Sequence, residues 1–275
     1  MSERVITSSQ NQYVTLVRAL ADRKGREKHK LYRIDGVKLT CEAISRGGEI
    51  HLLMLREGSE DAVISKSRSL YGLDLLGQGA TAVTVASHVF DKLSEENAPE
   101  GIIAVMRYNE SMHRDMCGAD IDVCRGEKIL LLESVRDPQN VGAIIRAAAA
   151  FSVDRIIMSR DCADIYSPKT LRATMGAMFS VRVDRVSSVC DVIDVLKRSG
   201  RRVFAAALDE GACRLGELEI KSGDCVVIGN EGHGLSGDTI RACGESVYIP
   251  MSDGVESLNA ATAAAVLAWE FFGKK

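Results

Sequence analysis

The spacing of apolar residues divides the chain into two stretches of alternating helix and strand patterns. In the first, Tyr13, Val14, Leu16, Val17 and Leu20 recur at helical spacing behind Ser8 and Ser9, either of which can cap the helix. Leu31 to Ile34 is a short apolar run ended by Asp35-Gly36 and predicts a strand. A second helix carries Val37, Cys41 and Ile44 on one stripe and stops at Gly47-Gly48. Strands are predicted at Ile50–Leu55, Ala82–Val85 and Ile102–Met106, with a helix near His88 to Leu93. Residues 1–106 thus form a small α/β unit. Residues 107–127 are polar with no apolar period and predict a linker.

From Lys128 the alternation strengthens, and 128–275 reads as a second domain. Strand runs are Ile129–Leu132, Arg155–Met158, Val203–Ala207, Cys225–Ile228 and Val247–Ile249, with helical runs near 141–151, 168–177, 188–199 and 236–242 between them. Apolar strands separated by helices imply an α/β fold with a mainly parallel sheet covered on both faces. Such sheets bind ligands beyond the carboxyl ends of their strands.

Composition alters this picture little. Of 275 residues, 46% are hydrophobic and 27% charged, ordinary for a globular protein. No window has the apolar length of a membrane helix, and Met1-Ser2-Glu3-Arg4 lacks a secretory pattern, so a cytoplasmic protein is expected. The eight cysteines form no Cys-x-x-Cys pair and no histidine cluster joins them, so reduced thiols and no metal site are expected. A net charge of −3 argues mildly against a nucleic-acid partner. Locally, however, Arg23, Lys24, Arg26, Lys28, Lys30 and Arg33 gather in one short segment, suited either to phosphate contacts or to a solvated helix end.

Three segments at predicted strand ends carry candidate chemistry. After Leu132 comes a loop with Asn140-Val141-Gly142, then a helix in which Arg146 is the one charge among Ala, Ile and Phe. Arg146 can reach the loop above the sheet or run out to solvent, and Asn140 can act chemically or cap the helix. After Ile228 comes Gly229-Asn230-Glu231-Gly232-His233-Gly234-Leu235-Ser236-Gly237. Its Gly232-x-Gly234-x-x-Gly237 spacing fits a dinucleotide fingerprint, the basis of a nucleotide-dependent dehydrogenase reading. Glu231 would repel a pyrophosphate there, and the fingerprint belongs to the first strand–helix turn of a longer array, so that reading is rejected. After Ile249 comes Pro250-Met251-Ser252-Asp253-Gly254-Val255-Glu256-Ser257-Leu258-Asn259, where Ser257 or Asn259 can cap the last helix. That helix is apolar on nearly every side between 260 and 268, more than one sheet face can bury, and a partner subunit is the expected cover.

Taken in order, Asn140-Val141-Gly142 with Arg146, Gly229-Asn230-Glu231-Gly232 with Gly234-Leu235, and Ile249-Pro250-Met251 with Glu256-Ser257-Leu258-Asn259 resemble the SpoU (TrmH-like) branch of the SPOUT RNA methyltransferases. Tyr32-Arg33-Ile34-Asp35-Gly36 and the helix after it resemble that family's L30e-like RNA-substrate-binding domain, with Asp35 a conservative departure from the usual Glu. The resemblance implies a deep C-terminal trefoil knot, a homodimer, and S-adenosylmethionine as methyl donor to a ribose 2′-hydroxyl of structured RNA, ribosomal more than transfer RNA. It implies that Gly229, Asn230, Gly232, Ile249, Met251 and Leu258 hold the cofactor. Arg146 would bind the adjacent phosphate and stabilise the developing alkoxide, with Asn140, Glu231, Ser257 and Asn259 positioning the reactants; Glu231 can pair with Arg146 or serve only as a helix N-terminal carboxylate. The basic segment would touch RNA phosphates. The alternative is a non-catalytic RNA-binding protein on the same scaffold.

Overall fold

The structure is a computed structural model describing residues 5–96, 98–252, 254 and 257–273. Helix α1 (Gln12–Ala19) starts on Asn11, whose side chain accepts from the Tyr13 N–H, so Asn11 and not Ser8 or Ser9 is the cap. There follow α2 (Arg23–His29), β1 (Leu31–Asp35), α3 (Val37–Ser45), β2 (Ile50–Arg56), α4 (Glu60–Tyr71), β3 (Thr81–Val85), α5 (Ser87–Phe90) and β4 (Ile102–Arg107). The four strands form a mixed sheet in the order β1-β4-β2-β3, with β4 antiparallel to both neighbours and β2 parallel to β3. Val14 and Val17 of α1, with Leu20 just after it, pack on Leu52, Met54, Val83, Val85, Ile103 and Val105 of the sheet.

The second run comprises β5 (His113–Met116), β6 (Ile129–Leu132), α6 (Pro138–Ala150), β7 (Arg155–Ser159), α7 (Pro168–Thr174), β8 (Arg182–Val186), α8 (Val189–Arg198), β9 (Val203–Ala206), β10 (Cys213–Arg214), β11 (Cys225–Ile228), α9 (Gly237–Cys243), β12 (Glu245–Tyr248) and α10 (Ala260–Ala268). Its eight strands pair in the order β10-β12-β9-β11-β6-β7-β8-β5, every pair parallel. Strand residues are buried on both sides, as in Ile129–Leu132 and Cys225–Ile228, because helices cover both faces.

By contacts the chain forms two compact units. One is Met1–Asn109 with Tyr166–Phe179; the other is Glu110–Ile165 with Ser180–Lys275. The short α7 therefore completes the first unit, although it lies between two strands of the second. Residues 107–127, expected as a linker, carry structure of their own: Arg107 ends β4, His113–Met116 is the edge strand β5, and Ile121 is buried in the second core. The segment reads as polar because it pairs with a charged strand. Asp184 on β8 is fully buried, and Arg114 of β5, Arg155 of β7 and Arg182 of β8 all pair with it. A buried carboxylate persists only with such partners.

Helix α10 packs against α6 and buries Ala260, Ala264, Leu267 and Ala268. Its opposite stripe, Thr262, Val266 and Trp269, is exposed, Val266 by 36% and Trp269 by 50%. Among the described residues, no helix is long and apolar enough to cross a membrane.

Candidate active site at the carboxyl edge of the parallel sheet

The loops after β6, β11 and β12 meet above the sheet because β6 and β11 are neighbours and α10 folds back on α6. Asp137 caps α6, accepting from the Gln139 N–H, and Pro138 occupies the first turn. Asn140 is therefore not the cap; it is a buried residue of the first turn, 7% exposed. Asn259 does cap its helix: Oδ1 accepts from the N–H groups of Ala261 (2.9 Å) and Thr262 (3.3 Å).

That cap sets the orientation of two further side chains. With Oδ1 committed to α10, Asn259 Nδ2 donates to Asn140 Oδ1 at 2.9 Å. Asn140 must then turn its own Nδ2 the other way, where it donates to Glu231 Oε1 at 2.7 Å. The amide flips follow from the hydrogen-bond inventory of each group. The result joins three loops that are far apart in sequence. Within this chain Glu231 takes Asn140 as its hydrogen-bond partner.

The turn carrying Glu231 is tightly built. The backbones of Asn230 and Gly234 exchange hydrogen bonds (3.0 and 2.9 Å), and Asn230 Oδ1 accepts from Gly232 and His233 N–H. Asn230 Nδ2 donates to the Ser134 carbonyl (2.8 Å). A Cβ on Gly229 would lie 2.4 Å from the Gly234 carbonyl carbon, a clash with backbone, so glycine is required there. Ser134 holds a left-handed conformation, φ 56°, tied by its N–H to Ser159 and by its hydroxyl to Asp161. Burial alone would raise the Asp161 pKa. Hydrogen bonds from Ser134, Ser159 and Arg136 outweigh it and hold the carboxyl below its ordinary range.

A cavity of about 660 Å³ opens beside this network. Ile249, Met251, Ser257 and Leu258 line it, as do Ala206 at the end of β9 and Ala207 and Leu208 just after it. Sequence reasoning missed that last loop, which carries no marker residue. Leu208 is 80% exposed and Met251 40%, two apolar side chains left at the rim. Gly229, Asn230 and Gly232, expected at the cofactor, build the turn that carries Glu231, next to the residues that line this cavity. Glu256 lies outside the described residues. Among the described residues no cluster of His, Cys, Asp and Glu is suited to a metal.

Arg146 stands apart from the network. Six residues beyond Asn140, it sits about 9 Å further along α6 and roughly 120° around it. It is exposed on a stripe with Gln139, Ala143 and Ala150. This stripe ends beside Phe151, whose ring meets that of Trp269 edge-on (5.6 Å) at the end of the exposed α10 stripe.

The basic segment divides. Arg26 is buried and donates to the Leu20 and Ala21 carbonyls at the end of α1. Arg33 is buried and donates to the Leu93 carbonyl and to Glu95. Both are therefore structural, a correction to their expected phosphate role, because each closes carbonyl groups left unpaired by the backbone. Arg23, Lys24, Lys28 and Lys30 are exposed, Arg23 pairing with Glu27.

The family model of the SpoU rRNA Methylase family matches residues 127–269, which spans all three loops. The chain belongs to the SpoU rRNA methylase family. A second family model, for the MRM3-like substrate binding domain, matches residues 11–104. The chain is 28% identical over 268 residues to the 23S rRNA (guanosine(2553)-2'-O)-methyltransferase of Bacillus subtilis, covering 98% of this chain and 99% of that one. It is 29% identical to the 23S rRNA (uridine(2479)-2'-O)-methyltransferase of Streptomyces viridochromogenes, covering 97% and 91%. Among solved structures, the AdoMet-bound rRNA methyltransferase of Sinorhizobium meliloti superposes with a TM-score of 0.80 at 28% identity, covering 97% of this chain and 96% of that one.

Proposed function

We propose that this SpoU-family protein methylates a ribose 2′-hydroxyl of ribosomal RNA, with S-adenosylmethionine as the donor. The observation that carries the reading within this chain is the Asn140–Glu231–Asn259 network, adjoining a cavity lined by Ile249, Met251, Ser257 and Leu258. The similar Bacillus and Streptomyces proteins, named for 2'-O-methylation of 23S rRNA, favour ribosomal over transfer RNA.

The cavity fits the cofactor. Its volume lies within the range of small-molecule sites, its walls are loop backbone and apolar side chains suited to a flat base, and a bound ligand would cover the exposed Leu208 and Met251 at its rim. Ile249, Met251, Ser257, Leu258 and residues 206–208, with Gly229, Asn230 and Gly232 of the neighbouring turn, would hold it. The bound cofactor supplies an activated methyl on a sulfonium, so the protein's task is alignment of the hydroxyl and help with its proton.

Arg146 has a full guanidinium charge and no side-chain partner among the described residues. It is suited to bind the phosphate next to the target ribose and to stabilise the forming alkoxide. Asn140, Glu231, Ser257 and Asn259 position the reactants. A homodimer through the exposed stripes of α6 and α10 would cover Val266 and Trp269 and set Arg146 at the seam between copies. Arg23, Lys24, Lys28 and Lys30 would contact RNA phosphates, and the cytoplasm is the compartment where that substrate is met. The trefoil knot belongs to the same reading.

The test is transfer of labelled methyl from S-adenosylmethionine to unmodified 23S rRNA, followed by mapping of the ribose methyl lost from a strain lacking the protein. Transfer to one nucleotide supports the reading. Binding of RNA without transfer to any ribosomal RNA would favour the non-catalytic alternative.

A further inference from the structure

In the first unit, three tyrosines stack outward from the core. Tyr32, on β1, is 2% exposed, and burial raises its phenol pKa far above the usual value. Its ring lies 4.5 Å from that of Tyr166, which stacks on Tyr108 at 4.1 Å and 17°. Tyr166 is 5% exposed, and Tyr108, just past β4, is half-buried and ends the stack at the surface. The Lys30 ammonium lies over the Tyr108 ring, 5.8 Å from its centroid.

Lys30 occupies a costly backbone position. It is the cap residue of α2 at φ 53°, where its N–H donates to the Arg26 carbonyl. Glycine, or else asparagine, is the favoured residue at such a left-handed helix end, because a Cβ crowds the carbonyl. The Tyr108 N–H donates to the Lys30 carbonyl at 3.0 Å, so backbone geometry holds the lysine and the ring together. Exposed Lys24 and Lys28 lie on the preceding helix.

A rigid aromatic face under a cation, beside further lysines, is how proteins grip single-stranded nucleic acid. We propose that Tyr108, backed by Tyr166 and flanked by Lys30, is a stacking platform for one unpaired base of the substrate RNA, other than the methylated nucleotide. The base takes the ring face now under the ammonium, and Lys30 turns to the adjoining phosphate. This rests on the RNA-methylating reading above and names a recognition element for it.

The probe is in vitro transcribed, unmodified 23S rRNA with the full chain. Tyr108→Leu raises the Kd for RNA about tenfold or more, whereas Tyr108→Phe, which keeps the ring, stays within about twofold. Lys30→Gly raises the Kd and reduces the salt slope by about 0.7 to 0.9, one phosphate contact. Its melting midpoint does not fall, because glycine accepts φ 53° without strain. S-adenosylmethionine binding is unchanged in all three. If Tyr108→Leu fails to fold, the two Lys30→Gly readouts decide. An unchanged Kd for folded Tyr108→Leu, with methyl transfer retained, overturns the platform and leaves the enzyme standing. Weakened RNA binding in that variant, when the wild-type protein transfers no methyl, supports the platform and removes the enzymatic reading.

Discussion

Replacing Asn140 with alanine removes one amide that bridges two loops, donating to Glu231 at 2.7 Å and accepting from Asn259 at 2.9 Å. A hydrogen bond to a charged group contributes about 1.5–3 kcal/mol and a neutral one about 1 kcal/mol. Glu231 and Asn259 are exposed, so water replaces part of what each loses, and the low end applies to both. The expected cost is about 2 kcal/mol, which for a unit of this size lowers the melting midpoint by roughly 4–8 °C. Helix α10 keeps its cap, because Asn259 Oδ1 still accepts from Ala261 and Thr262. Thermal melts of Asn140→Ala, Glu231→Ala and the double variant give a coupling of about 1 kcal/mol, with methyl transfer measured alongside. Transfer falls further than stability, since the loop holding Glu231 loses its tie to α6. Wild-type stability in Asn140→Ala, or strict additivity with Glu231→Ala, would refute the network.

Three more outcomes are expected. Arg146→Ala abolishes methyl transfer while leaving the melting midpoint and calorimetric S-adenosylmethionine binding intact, because Arg146 is exposed; Arg146→Lys stays poor, lacking the planar fork. Loss of cofactor binding in Arg146→Ala would remove it from the proposed role. Val266→Glu with Trp269→Glu places charge on the exposed α10 stripe and yields a monomer by light scattering, with activity lost; a monomeric wild-type protein would refute the interface. The Asp161 pKa is lowered on folding, so its stabilisation is complete above the unfolded value, about 4, and is lost as pH falls through the folded value. Asp161→Asn therefore flattens the decline of the melting midpoint with acid in that window, and an unchanged decline would contradict the assigned hydrogen bonds.

Periodicity located most of the strands and the three chemical loops, because the core strands of a parallel sheet are apolar throughout and the loops bear rare residues at their ends. Strand β8 escaped it: Arg182, Asp184 and Arg185 mask its alternation, and Asp184 is buried only because arginines from β5 and β7 reach it. Strand β5 was hidden in the same way, and α2, as RKGREKH, has no apolar face to detect.

The sequence by itself determined the α/β alternation, the family, and which residue types gather at strand ends, since these are written in local spacing. Only the tertiary structure decided which groups meet. It joined Glu231 to Asn140, turned Arg26 and Arg33 inward to unpaired carbonyls, and joined 166–179 to the first unit. Partner choice depends on where distant loops are brought by strand order and helix packing, and residue spacing along the chain carries no record of that.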